Sequence, residues 1–347
     1  MIDLLIAGGG PAGLCTAIAA ARRGLQVRVV EPRAGVIDKA CGEGLMPGAM
    51  HALGLLGVTG LAGRPFPGIR YLDGARVAEG LFRRGQGLAV RRTVLHAALR
   101  ERALELGVPI EQGRIGKVQQ GADHVLAGGH QARWLVAADG LSSPLRRALD
   151  LELPARLPPR SGIRQHFQIT PWTDRVEVYW APQGEAYVTS VADEVVGVAL
   201  LWSGPAPSGT AGSPFQRRLA WFPDLQARLA QAPAIDAALG AGPFERRVKQ
   251  RVAGRVLLVG DAAGYLDPLT GEGVRLAAEA ALALVDCVVR DRVEDYDRAW
   301  RALSRRYWRM TGALLMLARH PASRSRIVPM AARFPALMTS ALQVLGD

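Results

Sequence analysis

Leu4-Leu5-Ile6-Ala7-Gly8-Gly9-Gly10-Pro11-Ala12-Gly13 decides the fold of this 347-residue chain. Its four apolar residues predict a buried strand, its glycines a tight turn, and the alanine-rich run from Ala12 to Arg23 a helix that Gly24 stops. A second apolar strand, Val27 to Glu31, follows, so the opening reads as a βαβ unit. Gly8, Gly10 and Gly13 have the GxGxxG spacing at the strand-helix junction. The first glycine permits the turn, the second lets a pyrophosphate reach backbone N–H groups, and the third lets helix and strand close up. Pro11 and Ala12 stand at the helix N-terminus, whose partial positive charge suits the same phosphates. Glu31 ends the second strand, where a carboxylate can accept both hydroxyls of an adenosine ribose; Arg33 is assigned to the same cofactor site. A 2′-phosphate fits poorly beside that carboxylate, which leaves NAD or FAD.

Composition bounds the rest. With 49% apolar and 21% charged residues, the chain is globular and long enough for one or two domains. Its net charge of +12 invites a nucleic-acid reading, but only Lys39, Lys117 and Lys249 are lysines and the arginines are spread along the chain. No nucleic-acid partner is expected. Cys15, Cys41 and Cys287 lie far apart without CxxC spacing, and the six histidines show no paired spacing, so neither a metal site nor a disulfide framework is expected. Met1 to Gly10 enters a strand directly, without the basic region and cleavage site of a signal peptide, and Leu276 to Val289 is too short and too charged to cross a bilayer. A cytoplasmic location is the expectation.

Further along, Arg92 to Gly107 shows helical periodicity, and short strand-like runs lead through Trp134 to Ala138 into Asp139-Gly140. A proline-rich link from Pro154 to Pro159 marks a boundary. Strand patterns fill Ser161 to Trp202, broken by Pro171, Gly184 and Asp193-Glu194, and predict an antiparallel sheet; helices are expected near Phe215 to Leu239. Arg255 to Gly260 then returns as a buried strand ending in Gly260-Asp261, and the sequence beyond Gly273 is helical.

Two later motifs choose the cofactor. Asp139-Gly140-Leu141-Ser142-Ser143-Pro144-Leu145-Arg146 and Gly260-Asp261-Ala262-Ala263-Gly264 each place an aspartate at a strand's carboxyl end, where open α/β sheets bind ligands. With Pro268 and Gly271-Glu272-Gly273 downstream, the chain resembles, over nearly its whole length, the para-hydroxybenzoate hydroxylase superfamily of flavoproteins and its geranylgeranyl reductase-like branch. The resemblance implies an α/β architecture: a Rossmann-type FAD-binding domain (1–75, 88–155 and 250–298), an inserted antiparallel β-sheet substrate domain (76–87 and 156–249), and a C-terminal helical region (299–347). It also implies that Asp261 bonds the ribityl chain of FAD, Glu31 the adenosine ribose, and that Arg92 sits beside the ribityl-pyrophosphate region, with Arg91 as the register alternative. Asp139, Gly140 and Gly260 join the cofactor residues through their motifs. Gly271, Glu272, Gly273 and Val274 open a helix whose N–H groups and dipole suit the N1 and C2=O edge of a flavin.

Cys41-Gly42-Glu43-Gly44-Leu45 is similar to the CGxGL segment that borders the flavin ring in the reductase-like branch. Cys41 is a redox candidate, with packing beside the cofactor the preferred reading; Glu43 is a candidate proton donor or a solvated loop carboxylate. His166, in a substrate-domain strand, is a candidate base for a phenol or a structural histidine. The position after Gly260-Asp261-Ala262-Ala263 is Gly264 where aromatic hydroxylases usually carry histidine, and of the reductases' YxWxFP motif only Tyr187 is present. The favoured activity is an FAD-dependent monooxygenase that hydroxylates an apolar aromatic or polyketide-like molecule with oxygen and a transiently bound NAD(P)H. A reductase of an isoprenoid or other carbon-carbon double bond is the main alternative, and a basic binding module without catalysis the third. An apolar small-molecule substrate, a monomer or homodimer, and peripheral membrane contact through the arginine-rich C-terminal segment complete the expectations.

Overall fold

Ile2–Ala7 lies at the centre of a mostly parallel sheet, and its last four residues are buried on both faces, which is why they read as an unbroken apolar run. The order across the sheet is Val252–Ala253, Val256–Leu258, His130–Ala137, Ile2–Ala7, Val27–Glu31 and Ile110–Gln112, with a hairpin of Val118–Gln120 and Val125–Ala127 attached to His130–Ala137. The computed structural model describes residues 1–204, 212–334 and 339. Consecutive neighbours from Val256–Leu258 to Ile110–Gln112 are parallel, so Ala7, Glu31, Ala137 and Leu258 end on one side of the sheet. The three motifs follow those ends directly.

Helix Pro11–Ala21 packs against the alanine-rich helix Gly273–Val289 over the same sheet, and Ala17, Ala20, Ala278 and Ala281 are buried in their shared core. Small side chains let the backbones approach closely. A β-carbon at Gly13 would lie 1.9 Å from the Gly8 carbonyl oxygen, so the approach of the first helix to the glycine turn admits no side chain there.

The second sheet has the order Leu239–Ala241, Arg160–Gln168, Val195–Ser203, Gly184–Ala192, Val176–Ala181, Gly68–Asp73 and Arg76–Leu81, and all its pairs are antiparallel except Val176–Ala181 with Gly68–Asp73. Gly68–Asp73 therefore belongs with the substrate sheet and not with the first stretch of the cofactor domain, because it forms a hairpin with Arg76–Leu81. Its alternation is too short to assign a sheet from sequence. Likewise the region expected to be helical up to Leu239 holds two short helices, Pro214–Leu219 and Pro223–Leu229, and then a strand.

Met46, Phe66, Val178 and Trp180 form an apolar layer that buries Ala318 and Val328 of helices Tyr296–Arg319 and Pro321–Arg333. The parts of the expected helical tail at 335–338 and 340–347 lie outside the described residues.

Candidate active site

The glycine turn is fixed by its neighbours. Gly8 has φ 111°, and a β-carbon there would stand 2.4 Å from the Ala138 carbonyl oxygen, whereas Gly10 has no such neighbour within 4 Å and faces open space. Glu31 reaches back to the turn: its carboxylate accepts from the Gly9 N–H at 2.8 Å, from Arg33 Nε at 2.8 Å and from the Arg33 N–H at 3.1 Å. Burial opposes ionisation of Glu31, but the hydrogen bonds from Arg33 and Gly9 outweigh it and hold the carboxyl below its ordinary pKa. A cavity of about 190 Å³ opens beside it, lined by Gly9, Glu31, Arg33, His96, Arg100 and Gln112.

His96 was not among the sequence-derived candidates. Its Nδ1 accepts from the Ile37 N–H at 3.3 Å and its Nε2 donates to the Gly9 carbonyl at 2.9 Å, an arrangement that suits neutral imidazole. Burial, first, pushes its pKa down. A histidine at a helical apolar position carries no local signal of this role.

The two aspartate motifs are tied together by Arg146, whose side chain is fully buried. It donates to the Leu141 carbonyl at 2.8 Å and to the Asp261 and Ala262 carbonyls at 3.4 and 3.3 Å. Asp139 accepts from the Leu145 N–H through Oδ2, while its buried Oδ1 has no partner among the described residues. Burial pushes the Asp261 carboxyl up, against the pull of Lys39, Arg92 and Arg146. Arg92, and not Arg91, belongs to this cluster: it is buried near Asp261, Asp38 and Cys41, and its Nη1 has no partner among the described residues. Arg91 turns instead to Asp236 at 3.4 Å.

At the far end, Pro268 opens a short 3-10 turn and helix Gly273–Val289 starts one residue before Val274. Gly271 lies near Gly44 and Met46, which brings this helix end to the CGxGL segment. One Glu272 carboxylate oxygen accepts from Arg275 Nη2 at 2.5 Å along its own helix, while the other is buried without a partner among the described residues. Asp267 and Glu185 both accept from Arg160 at 2.8 Å, which clamps this loop to the substrate sheet. Tyr187, the remaining residue of the reductase motif, donates to the Leu269 carbonyl of the same loop at 3.2 Å.

Cys41 and Glu43 stand where the two sheets meet. Glu43 has φ 59° and is buried, so it is not the solvated loop carboxylate that its sequence context allows. One carboxylate oxygen accepts from the Arg92 N–H at 2.7 Å and the other lies 2.5 Å from His166 Nε2. His166 Nδ1 lies 2.5 Å from Asp236, which also accepts from Arg164 at 2.9 Å, and Arg164 Nη2 continues to Asp38 at 2.5 Å. Both nitrogens of His166 are thus engaged, which removes it as a free base for a phenol. Burial and, next, the charge of Glu43 push the Cys41 thiol up and keep its proton on.

These residues fit FAD. A turn crowded at Gly8 and Gly13 but open at Gly10, a carboxylate beside a cavity at the adenosine end, orphaned buried atoms on Asp139 and Arg92 midway, and a helix N-terminus at the flavin end follow one another along the strand ends. When bound, FAD supplies hydride-transfer and oxygen chemistry.

Comparison with known proteins points the same way. Residues 1–161 match the family model described as an FAD binding domain. The menaquinone reductase of Mycolicibacterium smegmatis is 27% identical over 99% of this chain and 91% of its own length. Digeranylgeranylglycerophospholipid reductase 1 of Methanopyrus kandleri is 27% identical over 82% of this chain and 81% of its own. The crystal structure of p-nitrophenol 4-monooxygenase from Pseudomonas putida superposes with a TM-score of 0.83 at 18% identity, over 100% of this chain and 98% of that one. The protein is an FAD-dependent oxidoreductase that resembles, over most of its length, the para-hydroxybenzoate hydroxylase superfamily and its geranylgeranyl reductase-like branch.

Proposed function

We propose that the protein reduces a carbon-carbon double bond in an apolar, isoprenoid-type substrate, with NAD(P)H as the transient source of electrons. The observation that carries this reading is the occupation of both His166 nitrogens by Glu43 and Asp236, together with a Cys41 thiol that burial keeps protonated. Hydroxylation of a phenol asks the protein for a base, and the candidate base is engaged. Reduction asks for a proton donor. The reaction adds a hydride to one carbon and a proton to the other, so the protein's part is to seat the double bond, exclude water and hold one proton at Cys41 Sγ. That two sequence relatives spanning most of the chain are named reductases supports this choice.

The test is a single turnover with the FAD-loaded protein, reduced chemically under argon and mixed with a geranylgeranyl-bearing lipid. The expected product is heavier by two hydrogens and forms without oxygen. A product that appears only in air and carries one atom from labelled oxygen overturns the proposal and establishes the second reading, a monooxygenase for an apolar aromatic or polyketide-like molecule. That second reading is favoured by the full-length structural match to the nitrophenol monooxygenase.

A further inference from the structure

Nine arginines and no aspartate or glutamate occur between Arg298 and Phe334. The outer faces of the two last helices arrange them. On Tyr296–Arg319, the exposed residues Arg298, Arg301, Arg305, Arg309, Met316 and Arg319 recur at intervals of three, four or seven, which places them on one stripe. On Pro321–Arg333, Arg326, Met330 and Arg333 make a second stripe, with exposed Phe334 beyond it. Met316 and Met330 are 64% and 57% exposed, and with exposed Leu317 and Phe334 they put an apolar edge among these arginines.

The positive charge is uncompensated over most of this surface. Arg298 and Arg301 pair with Asp295 and Asp297 at the start of the helix. Arg305, Arg309, Arg319, Arg326 and Arg333 form no ion pair among the described residues. The opposite faces are anchored: Tyr307 and Leu315 pack beside Leu266 and Leu269 of the flavin-side loop, and Ala318 and Val328 pack into the apolar layer of the substrate sheet.

We propose that these outer faces form a docking surface for an anionic lipid bilayer, with the arginines at the headgroup phosphates and Met316, Leu317, Met330 and Phe334 in the acyl boundary. The chemistry matches that of an interfacial helix, in which an apolar edge flanked by arginines gains from both burial and charge. No described helix is long and apolar enough to cross a membrane, and the surface proposed requires only contact from one side. The layer beneath runs from these helices through Trp180 and Tyr187 to Met46, beside the CGxGL segment, so a chain lifted from the bilayer would meet apolar side chains on its way to the site. The inference rests on the proposed apolar substrate for its purpose, but its test reads binding and involves no turnover.

The FAD-loaded full chain is sedimented with vesicles of phosphatidylcholine alone and of phosphatidylcholine with one-third phosphatidylglycerol, across a range of salt. The expected result is partition to the anionic vesicles that weakens with salt and falls on the order of fivefold for each unpaired arginine removed. R305E/R309E/R319E should lose binding, and M316S/L317S should weaken it while leaving the salt slope unchanged. Wild-type melting temperature and flavin content in these variants show that they fold. Equal partition of wild type and the triple variant, or no partition to anionic vesicles at low salt, overturns the proposal. So does full displacement by duplex DNA at equimolar phosphate, which would mark a general polyanion surface, or loss of a dimer in the M316S/L317S variant, which would mark a contact between copies.

Discussion

His166 Nε2 lies 2.5 Å from Glu43 Oε2, joining two residues 123 positions apart, one on the substrate sheet and one in the loop beside the flavin motif. Their side chains are 0% and 1% exposed. Asp236 approaches the other ring nitrogen at the same distance, and Arg164 Nη1 stands 2.8 Å from that nitrogen as well. The Glu43 backbone is tied as well: its carbonyl accepts from the Val90 N–H, and the neighbouring Gly42 carbonyl accepts from Thr189. This buried hydrogen-bonded clamp fixes where Cys41 stands relative to the substrate sheet.

Removing one partner from a buried hydrogen-bonded pair that includes a carboxylate costs far more than the pair contributes. His166→Ala leaves the Glu43 carboxylate buried with the Arg92 N–H as its remaining hydrogen-bond donor among the described residues, and a loss of about 3–5 kcal/mol is expected in urea denaturation. His166→Ala with Glu43→Gln should recover part of that loss. A single-variant loss below about 1 kcal/mol would show that the clamp carries no weight.

Acid should loosen the same clamp. Burial opposes ionisation of Asp236, but hydrogen bonds from the His166 N–H and ring, with the charges of His166 and Arg164, hold its carboxyl below the ordinary value of 3.8. A carboxyl whose folded pKa is depressed binds fewer protons when folded, so its stabilisation is present above 3.8 and is lost as pH falls through the lower folded value. Asp236→Asn should be less stable at neutral pH and should show a shallower fall of unfolding free energy with acid. Parallel curves for variant and wild type would contradict the assignment.

How much of this could be read from the chain depends on how local each signal is. Gly8, Gly10, Gly13 and Glu31 were legible because turn, helix start and strand end follow within one βαβ unit. Asp139 and Asp261 were legible for the same reason, each ending its own apolar strand. Arg164 and Asp236 were not, because their meaning arises only when a strand of the second sheet meets the loop after Ile37. Glu43 and His166 stand 123 positions apart, and nothing in that spacing says that they touch. The placement of Gly68–Asp73 failed on register: a six-residue strand chooses its sheet through its partners, here Val176–Ala181 and Arg76–Leu81.

The thiol of Cys41 should be sluggish. Burial and the Glu43 charge raise its pKa, so little thiolate exists near neutrality. Iodoacetamide should label it more slowly than an unfolded peptide thiol, with a rate that climbs as pH rises, and FAD loading should slow it further. Mass spectrometry of tryptic peptides separates it from Cys15, which burial pushes up to about 12. Fast labelling at neutral pH would reveal a thiolate and remove Cys41 as a proton donor.

Arg146 offers the sharpest test of how the cofactor site is assembled. Its guanidinium reaches four acceptors at once, the carbonyls of Leu141, Asp261 and Ala262 and the carboxylate of Glu152, and so holds the two aspartate loops in one register. Lysine keeps the charge but has neither the fork nor the reach to bond both loops. If a hydrogen bond to a charged group is worth about 1.5–3 kcal/mol, Arg146→Lys should weaken FAD binding by roughly 10- to 150-fold, read by titrating the apoprotein and following quenching of flavin fluorescence. Far-ultraviolet circular dichroism should stay near that of wild type, since the sheet strands on either side are packed independently of this side chain. Undiminished affinity for FAD would mean that the Asp139 and Asp261 loops are held by their strands alone.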